Sequence, residues 1–393
     1  MKAYAYPRLK LNSVYLAISA ALGIFPLTAQ AEICTGSFPT GKTCSSTALP
    51  NTSAEINATG NVTRSVTSGN TIGLYALSNT ATSTLSKVAH QNGTIRIDIS
   101  NATSTANDTG AAIRTAQSVT AAPVPNTAGT IEALGSNINV TAKGTGIRWL
   151  FGIEATSSGI SPTSVIYQGN LTVNNQAATS FYSTRGIKST PSGNLADAFI
   201  TVKANSNIAV QSIPNASGLD ATAKGGGNAT INVEAGSVVN VGDIASVSNP
   251  LLSIGLDAAA PNGGTAKQVF DGQAVNVISN NGVEAIGIRS VGGVANSEVQ
   301  GNITTVLNGT APASTPTTTP RHVYGIESRG ESSAIVNQHD GSVSVTSSSP
   351  KLNRAYGILA WGPSTSPKVE VTTRTSAVQL DMSSLALAGN ASN

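Results

Sequence analysis

Two aspartates occupy the same place in successive copies of one short phrase, Asp220 in Gly218-Leu-Asp-Ala221 and Asp257 in Gly255-Leu-Asp-Ala258. Paired carboxylates on one face of a protein are what glycoside hydrolysis requires, one protonating the leaving oxygen and the other acting as nucleophile or base. If the two phrases stack as adjacent strands, the aspartates come within about 5 Å at Cα. The sequence places no Arg or Lys cluster and no aromatic sugar platform beside them, so they read as one column of a charge ladder. The remaining reactive side chains do not assemble. His90, His322 and His339 fall in different segments and read as solvated residues. No Gly-x-Ser-x-Gly elbow or Gly-Asp-Ser-Gly protease phrase occurs, and the nearest, Ser328-Arg-Gly-Glu-Ser332, reads as a turn after a core strand. Gly225-Gly-Gly227 and Gly263-Gly264 lack the Lys-Ser/Thr of a phosphate loop and read as equivalent turns. Cys34 and Cys44 offer too few ligands for a metal. The expectation is a chain with no catalytic, cofactor-binding or metal-ligating residue, and thus not an enzyme.

The elements that carry these residues repeat. A strand of the form Gly-[Ile/Leu]-x-[Ala/Ser] recurs eight times from Gly73-Leu-Tyr-Ala76 to Gly357-Ile-Leu-Ala360, with a degenerate copy, Ala112-Ile-Arg-Thr115, in the one large gap. The eight steps between Gly73 and Gly357 give a mean period of about 35 residues, which implies stacked supersecondary units. Each period holds two more apolar alternations, such as Ala198-Phe-Ile-Thr-Val202 and Gly169-Asn-Leu-Thr-Val173. The register after Gly236 is left open. The predicted fold is all-β, a single-stranded right-handed parallel β-helix with about three strands per coil and about nine coils. Alternation puts the second and fourth residues of the Gly-Ile phrase inward and the third outward. The third positions run Tyr75, Arg114, Glu154, Lys188, Asp220, Asp257, Arg289, Glu327 and Leu359, alternating in sign from Arg114 to Asp220 and again from Asp257 to Glu327, with Asp220 and Asp257 the one like-charged step. That like-charged step predicts a loosened contact, a raised pKa or a bound cation. A transmembrane barrel would need strands of about ten residues with aromatic girdles. A sandwich or propeller leaves the three-strand unit unexplained.

Composition agrees with a narrow solenoid core. Only 10% of residues are charged and 4% aromatic, against 39 glycines. The first 31 residues read as a secretory signal, with Lys2, Arg8 and Lys10 before an apolar run from Val14 to Phe25 and small residues Ala29-Gln30-Ala31 before Glu32. The run is too short to cross about 30 Å of hydrocarbon. Removing those three bases leaves 19 Lys and Arg against 19 Asp and Glu, which gives no electrostatic case for nucleic acid. Cys34 and Cys44 are expected to pair in an oxidising periplasm, within a cap over residues 32–60 that folds as a lid across the open end of the helix. The Pro-rich stretch with Pro312, Pro316 and Pro320 is the candidate contact loop, with a smaller candidate at residues 121–126; no Arg-Gly-Asp phrase is present.

A secretory signal, a Cys pair after it, and Gly/Thr/Asn/Val-rich coils with Tyr324-Gly-Ile326 and Tyr356-Gly-Ile358 together resemble the passenger region of a pertactin-like autotransporter. The resemblance covers residues from about Cys34 to the end and is one of repeat style. It implies export through Sec, transit of the periplasm, folding at the cell surface or release, and a role in adhesion, aggregation or host contact. The family's C-terminal translocator barrel has no counterpart here, so residues 61–393 are read as a β-helix that continues beyond this chain. The Asn-Pro-Asn signature of two-partner haemagglutinins and the heptads of trimeric adhesins are missing. The expected function is an adhesin or display stalk without catalytic activity, and it predicts no deep polar pocket. Its expected partners are a host-cell surface, extracellular matrix or a second copy, with the outer-membrane export machinery, and no small-molecule cofactor. The alternative is a β-helical carbohydrate-active enzyme, a polysaccharide lyase or hydrolase. It predicts a groove gathering three or more Asp, Glu, Arg or Lys along one sheet.

The leader yields a prediction. Exported protein begins at Glu32 by intact mass or N-terminal sequencing, and exported protein that retains Met1 contradicts it.

Overall fold

A computed structural model describes residues 32–35, 44–48, 53–78, 85–102, 108–117, 128–157, 159–212, 215–243, 252–280, 282–308, 321–349, 352–363, 368–374 and 377–382. Every described element is a strand and every strand pairing is parallel, forming a right-handed β-helix with three sheets. The first sheet collects the Gly-Ile strands. Ile153 pairs with Ile187, Ile187 with Leu219, Leu219 with Leu256, Leu256 with Ile288, Ile288 with Ile326 and Ile326 with Ile358. The degenerate copy takes its expected place, Ile113 lying between Leu74 and Ile153.

The second sheet stacks Ala198–Val202 on Ala229–Val233, each with a strict inward-outward alternation that buries Ala198, Ile200 and Val202. In the third sheet Ile95, Ile97 and Ile99 face the core, as do Leu171 and Val173. The register left open after Gly236 resolves with Val239 and Val241 inward, paired to Ile208 and Val210. Some corners are so short that the chain runs through them without leaving extended geometry. Ala128–Ser157 is one 30-residue strand that contributes to all three sheets. The sequence predicted three separate strands and turns there.

Inward positions are filled by Ala, Val, Ile and Leu over the length of the helix. The fourth positions of the motif, from Ala76 to Ser328, are wholly buried. Where that column is Ser, hydroxyls bond one another across coils, with Ser290 and Ser328 each 2.9 Å from Ser297. A buried hydroxyl left unpaired would cost about 1–3 kcal/mol, so this small polar ladder belongs to the core packing.

Glycine is required in two ways. At Gly93 φ is 137°, and a Cβ would lie 2.1 Å from the carbonyl oxygen of Gly60 on the preceding coil. The motif glycines have no such φ; there the limit is space. A Cβ on Gly186 would meet Gly218 O at 2.5 Å and Val210 of the third sheet at 3.0 Å. At these residues the strand is pressed inward, and both Gly and the following Ile face the core.

The N-terminal region departs from the expected lid. Glu32–Thr35 pairs in parallel with Ala54–Thr59, and Cys44–Ala48 with Thr71–Ser78. These strands extend the second and first sheets by one more rung. Parallel pairing satisfies edge N–H and C=O groups that a lid would leave open, which favours continuation. Cys44 is buried and disulfide-bonded; the Cys34 side chain lies outside the described residues, as do Ala31 and the leader before it. At the other end the core-facing Val369, Val371, Val378 and Leu380 of the last described rung are exposed.

Replacing Gly186 by Ala should lower stability by about 1–3 kcal/mol through overpacking against backbone, whereas Thr201→Ala on the outer face should stay within about 0.5 kcal/mol. Thermal or urea unfolding of the two variants checks this; equal midpoints would contradict the inward-pressed glycine.

Candidate functional site

Pressing the strand inward at each motif glycine bends the outer face of the first sheet into a concave seam. The residue before Gly and the third motif residue both point outward, and the bend brings them together. Their columns read Phe151, Arg185, Ser217, Ile254, Ile286, Tyr324 and Tyr356 on one side, and Glu154, Lys188, Asp220, Asp257, Arg289, Glu327 and Leu359 on the other. Ile254, Ile286 and Tyr324 form an apolar cluster separate from the core, packed against Leu359 and Tyr356.

The charged column keeps its predicted register. Arg114 pairs with Glu154, Glu154 with Lys188, Lys188 with Asp220, Asp220 with Asp257, Asp257 with Arg289, and Arg289 with Glu327. Its expected exposure is corrected. Glu154 is 3% exposed and Glu327 0%, because the concavity lets the neighbouring column and the adjacent rungs cover them. Burying unpaired carboxylates would be costly, and each has a cation. Glu154 lies between Arg114 Nε at 2.8 Å and Lys188 Nζ at 2.9 Å. The Lys188 ammonium also sits 5.1 Å from the Phe151 ring centre and 5.8 Å from that of Trp149.

The like-charged step is also corrected. Asp220 and Asp257 stack, but each has its own arginine. Asp257 accepts two hydrogen bonds from Arg289, at 2.6 and 3.0 Å. Asp220 is paired with Arg185, a residue before Gly, and accepts a hydrogen bond from Thr222 at 2.6 Å. Burial alone would push the Asp220 carboxyl up, but Arg185, Thr222 and Lys188 outweigh it and hold it below its ordinary value. The expectation of a raised pKa fails here because the outward column before Gly supplies the cation, and no bound ion is needed. Glu327 differs: burial raises its pKa, although Arg329 bonds one carboxylate oxygen at 2.6 Å. No group of three or more His, Cys, Asp or Glu that could hold a metal occurs among the described residues.

Near the last described rungs the seam opens into a groove of about 460 Å3. Glu284, His322 and Arg354 are register partners on three successive strands and line one side. Tyr324 and Tyr356 form the floor, rings stacked at 5.7 Å with 7° between their planes. Arg329 and Trp361 pair on the other side. His322 stands 3.9 Å from Glu284, and burial lowers its pKa, so its imidazole is neutral at pH 7. Glu284, Arg329 and Arg354 meet the mark set for the enzyme alternative, three charged residues gathered along one sheet.

The histidines thus split. His322 lines the groove. His90, expected to be solvated, is wholly buried, with Nδ1 2.7 Å from Ser136 Oγ and Nε2 3.0 Å from Gly60 O, and serves a corner of the helix. Pro312, Pro316 and Pro320, and residues 121–126, lie outside the described residues. The groove was missed because its members sit at offsets of −3, −1, +2 and +4 from each motif Gly. Tyr324 and Tyr356 were visible before their glycines, but the convergence of two outward columns comes only from the bend.

Removing Glu154 leaves Arg114 and Lys188 without their buried counter-charge. Glu154→Ala should therefore destabilise by about 2–4 kcal/mol, against less than about 1 kcal/mol for Glu234→Ala in the more exposed Lys203 pair. Comparable losses in denaturant unfolding would contradict a covered seam. Compared with protein-family models, curated proteins and solved structures, the chain has no match among them.

Proposed function

We propose that the chain is an exported β-helical passenger that works at the cell surface as an adhesin or display stalk, with no catalytic role. The observation that carries the reading is the state of the seam. Its carboxylates Glu154, Asp220, Asp257 and Glu327 are each engaged by an arginine or lysine. Carboxylates so neutralised serve register along a stiff rod and are poorly placed to exchange protons with a substrate. The rod itself suits presentation of a contact surface away from its point of attachment, and the groove around Tyr356 and Trp361 is the natural contact surface. Export through Sec, passage across the outer membrane and a host-surface, matrix or self-association partner belong to this proposal.

A second reading, a polysaccharide lyase or hydrolase, is favoured by one observation, the grouping of Glu284, Arg329 and Arg354 beside stacked tyrosines. One pair of measurements separates them. Intact cells producing the chain should lose it to added protease, and cells lacking its gene should adhere or aggregate less. Purified chain should release no reducing ends or unsaturated sugars from a panel of acidic and neutral polysaccharides. Retention inside protease-resistant cells, or polysaccharide breakdown lost on Glu284→Gln, would overturn the proposal.

A further inference from the structure

The groove has the composition of a sugar site, and its charges narrow the sugar. Arg329 is engaged by Glu327, and Glu284 faces His322. Arg354 is exposed and makes no hydrogen bond or ion pair with the described residues, so its guanidinium is the groove's one unpaired cation among them. Trp361 is 48% exposed, although it is a large apolar ring on the wall of a concave surface. An exposed indole beside stacked tyrosines offers flat apolar faces of the kind on which the C–H face of a pyranose rests. A neutral imidazole and a carboxylate supply a donor and acceptors for hydroxyl groups.

We propose that the groove binds a pyranose residue bearing a carboxylate, within a linear acidic polysaccharide. Arg354 takes the carboxylate, Glu284 and His322 take ring hydroxyls, and the ring lies against Trp361 and Tyr356. A guanidinium matches a carboxylate with two parallel hydrogen bonds. Glu284, two strands from it across His322, adds a negative charge to the groove that repels a doubly charged phosphate more than a singly charged carboxylate. The seam is continuous with the groove, so a polymer can run along the sheet beyond the bound residue. This proposal rests on the adhesin reading for its biological use but not for its test. Failure of the binding experiment leaves surface display standing, and failure of display leaves binding standing.

The chain contains two tryptophans, so Trp149→Phe leaves Trp361 as the sole indole reporter. Titrated with trigalacturonate, that variant should show saturable quenching, with a Kd on the order of 10 µM to 1 mM. Maltotriose, lacking the carboxylate, should bind at least about tenfold more weakly, and so should the Arg354→Gln variant. Calorimetry on Trp361→Ala should show a similar loss. Arg354 and Trp361 are exposed and Trp149 is half-buried, and unchanged thermal midpoints in all three variants confirm that the fold is kept. Equal affinity for maltotriose, equal or tighter binding of sulfated maltotriose, full affinity in Arg354→Gln, or no binding of trigalacturonate would each overturn the proposal.

Discussion

The fold depends on equivalent residues of successive coils lying side by side in parallel register. Parallel strands cannot be joined by a tight hairpin, so each rung must travel round the other two sheets before it meets its partner. That circuit closes the core, and its length sets the period near 35 residues. Because strand side chains alternate with a period of two, a slip of one residue would turn a whole column from the core to the outside. The Gly-Ile phrase opposes such a slip twice. Its glycine alone fits where the backbone is pressed against the valines of the third sheet, and its third residue has a charged partner only in the native register.

The same bend that protects register creates the concave outer seam. With two consecutive residues facing inward, the outer face becomes concave, and side chains that would be solvated on a flat sheet cover one another. Charge and apolar surface are then sorted along the helix. From Arg114 to Arg329 ion pairs run along the third-position column, with Ile254 and Ile286 packed beside them. Tyrosines stack at its far end, Leu359 replaces a charge, and the seam opens to solvent. Ion-paired seam and open groove are two fillings of one repeated geometry.

How much of this was legible follows from what repeats. The three-strand coil, the inward Ile/Leu column, the small fourth position and the pairing order of Arg114, Glu154, Lys188, Asp220, Asp257, Arg289 and Glu327 all recur once per period, and each was visible as a column. Burial of Glu154 and Glu327 was not, because it depends on curvature that no single column encodes. The cations for Asp220 and Glu327 were missed for a related reason. Arg185 and Arg329 reach them from neighbouring outward columns, while the ladder was drawn along one column. His90 looked solvated because a lone polar residue in a short strand carries no sign of the Ser136 hydroxyl and Gly60 carbonyl that pair with its two ring nitrogens in the interior. The end region looked like a lid because its cysteines suggested a staple, whereas its backbone simply adds a rung.

In-register stacking is the claim on which seam, groove and core all rest, and it makes distance depend on rung number and not on sequence separation. Glu132, Ile166, Thr201, Asn232, Val269, Glu298 and Asn337 are successive partners on the outer face of the second sheet. Spin labels at residues 132 and 298 are five rungs apart, and labels at 132 and 337 are six. At a strand spacing of about 4.8 Å, pulsed dipolar spectroscopy should return narrow distributions near about 24 Å and about 29 Å, one rung apart. Broad distributions, or a difference between the two pairs far from one strand spacing, would contradict the stacked register.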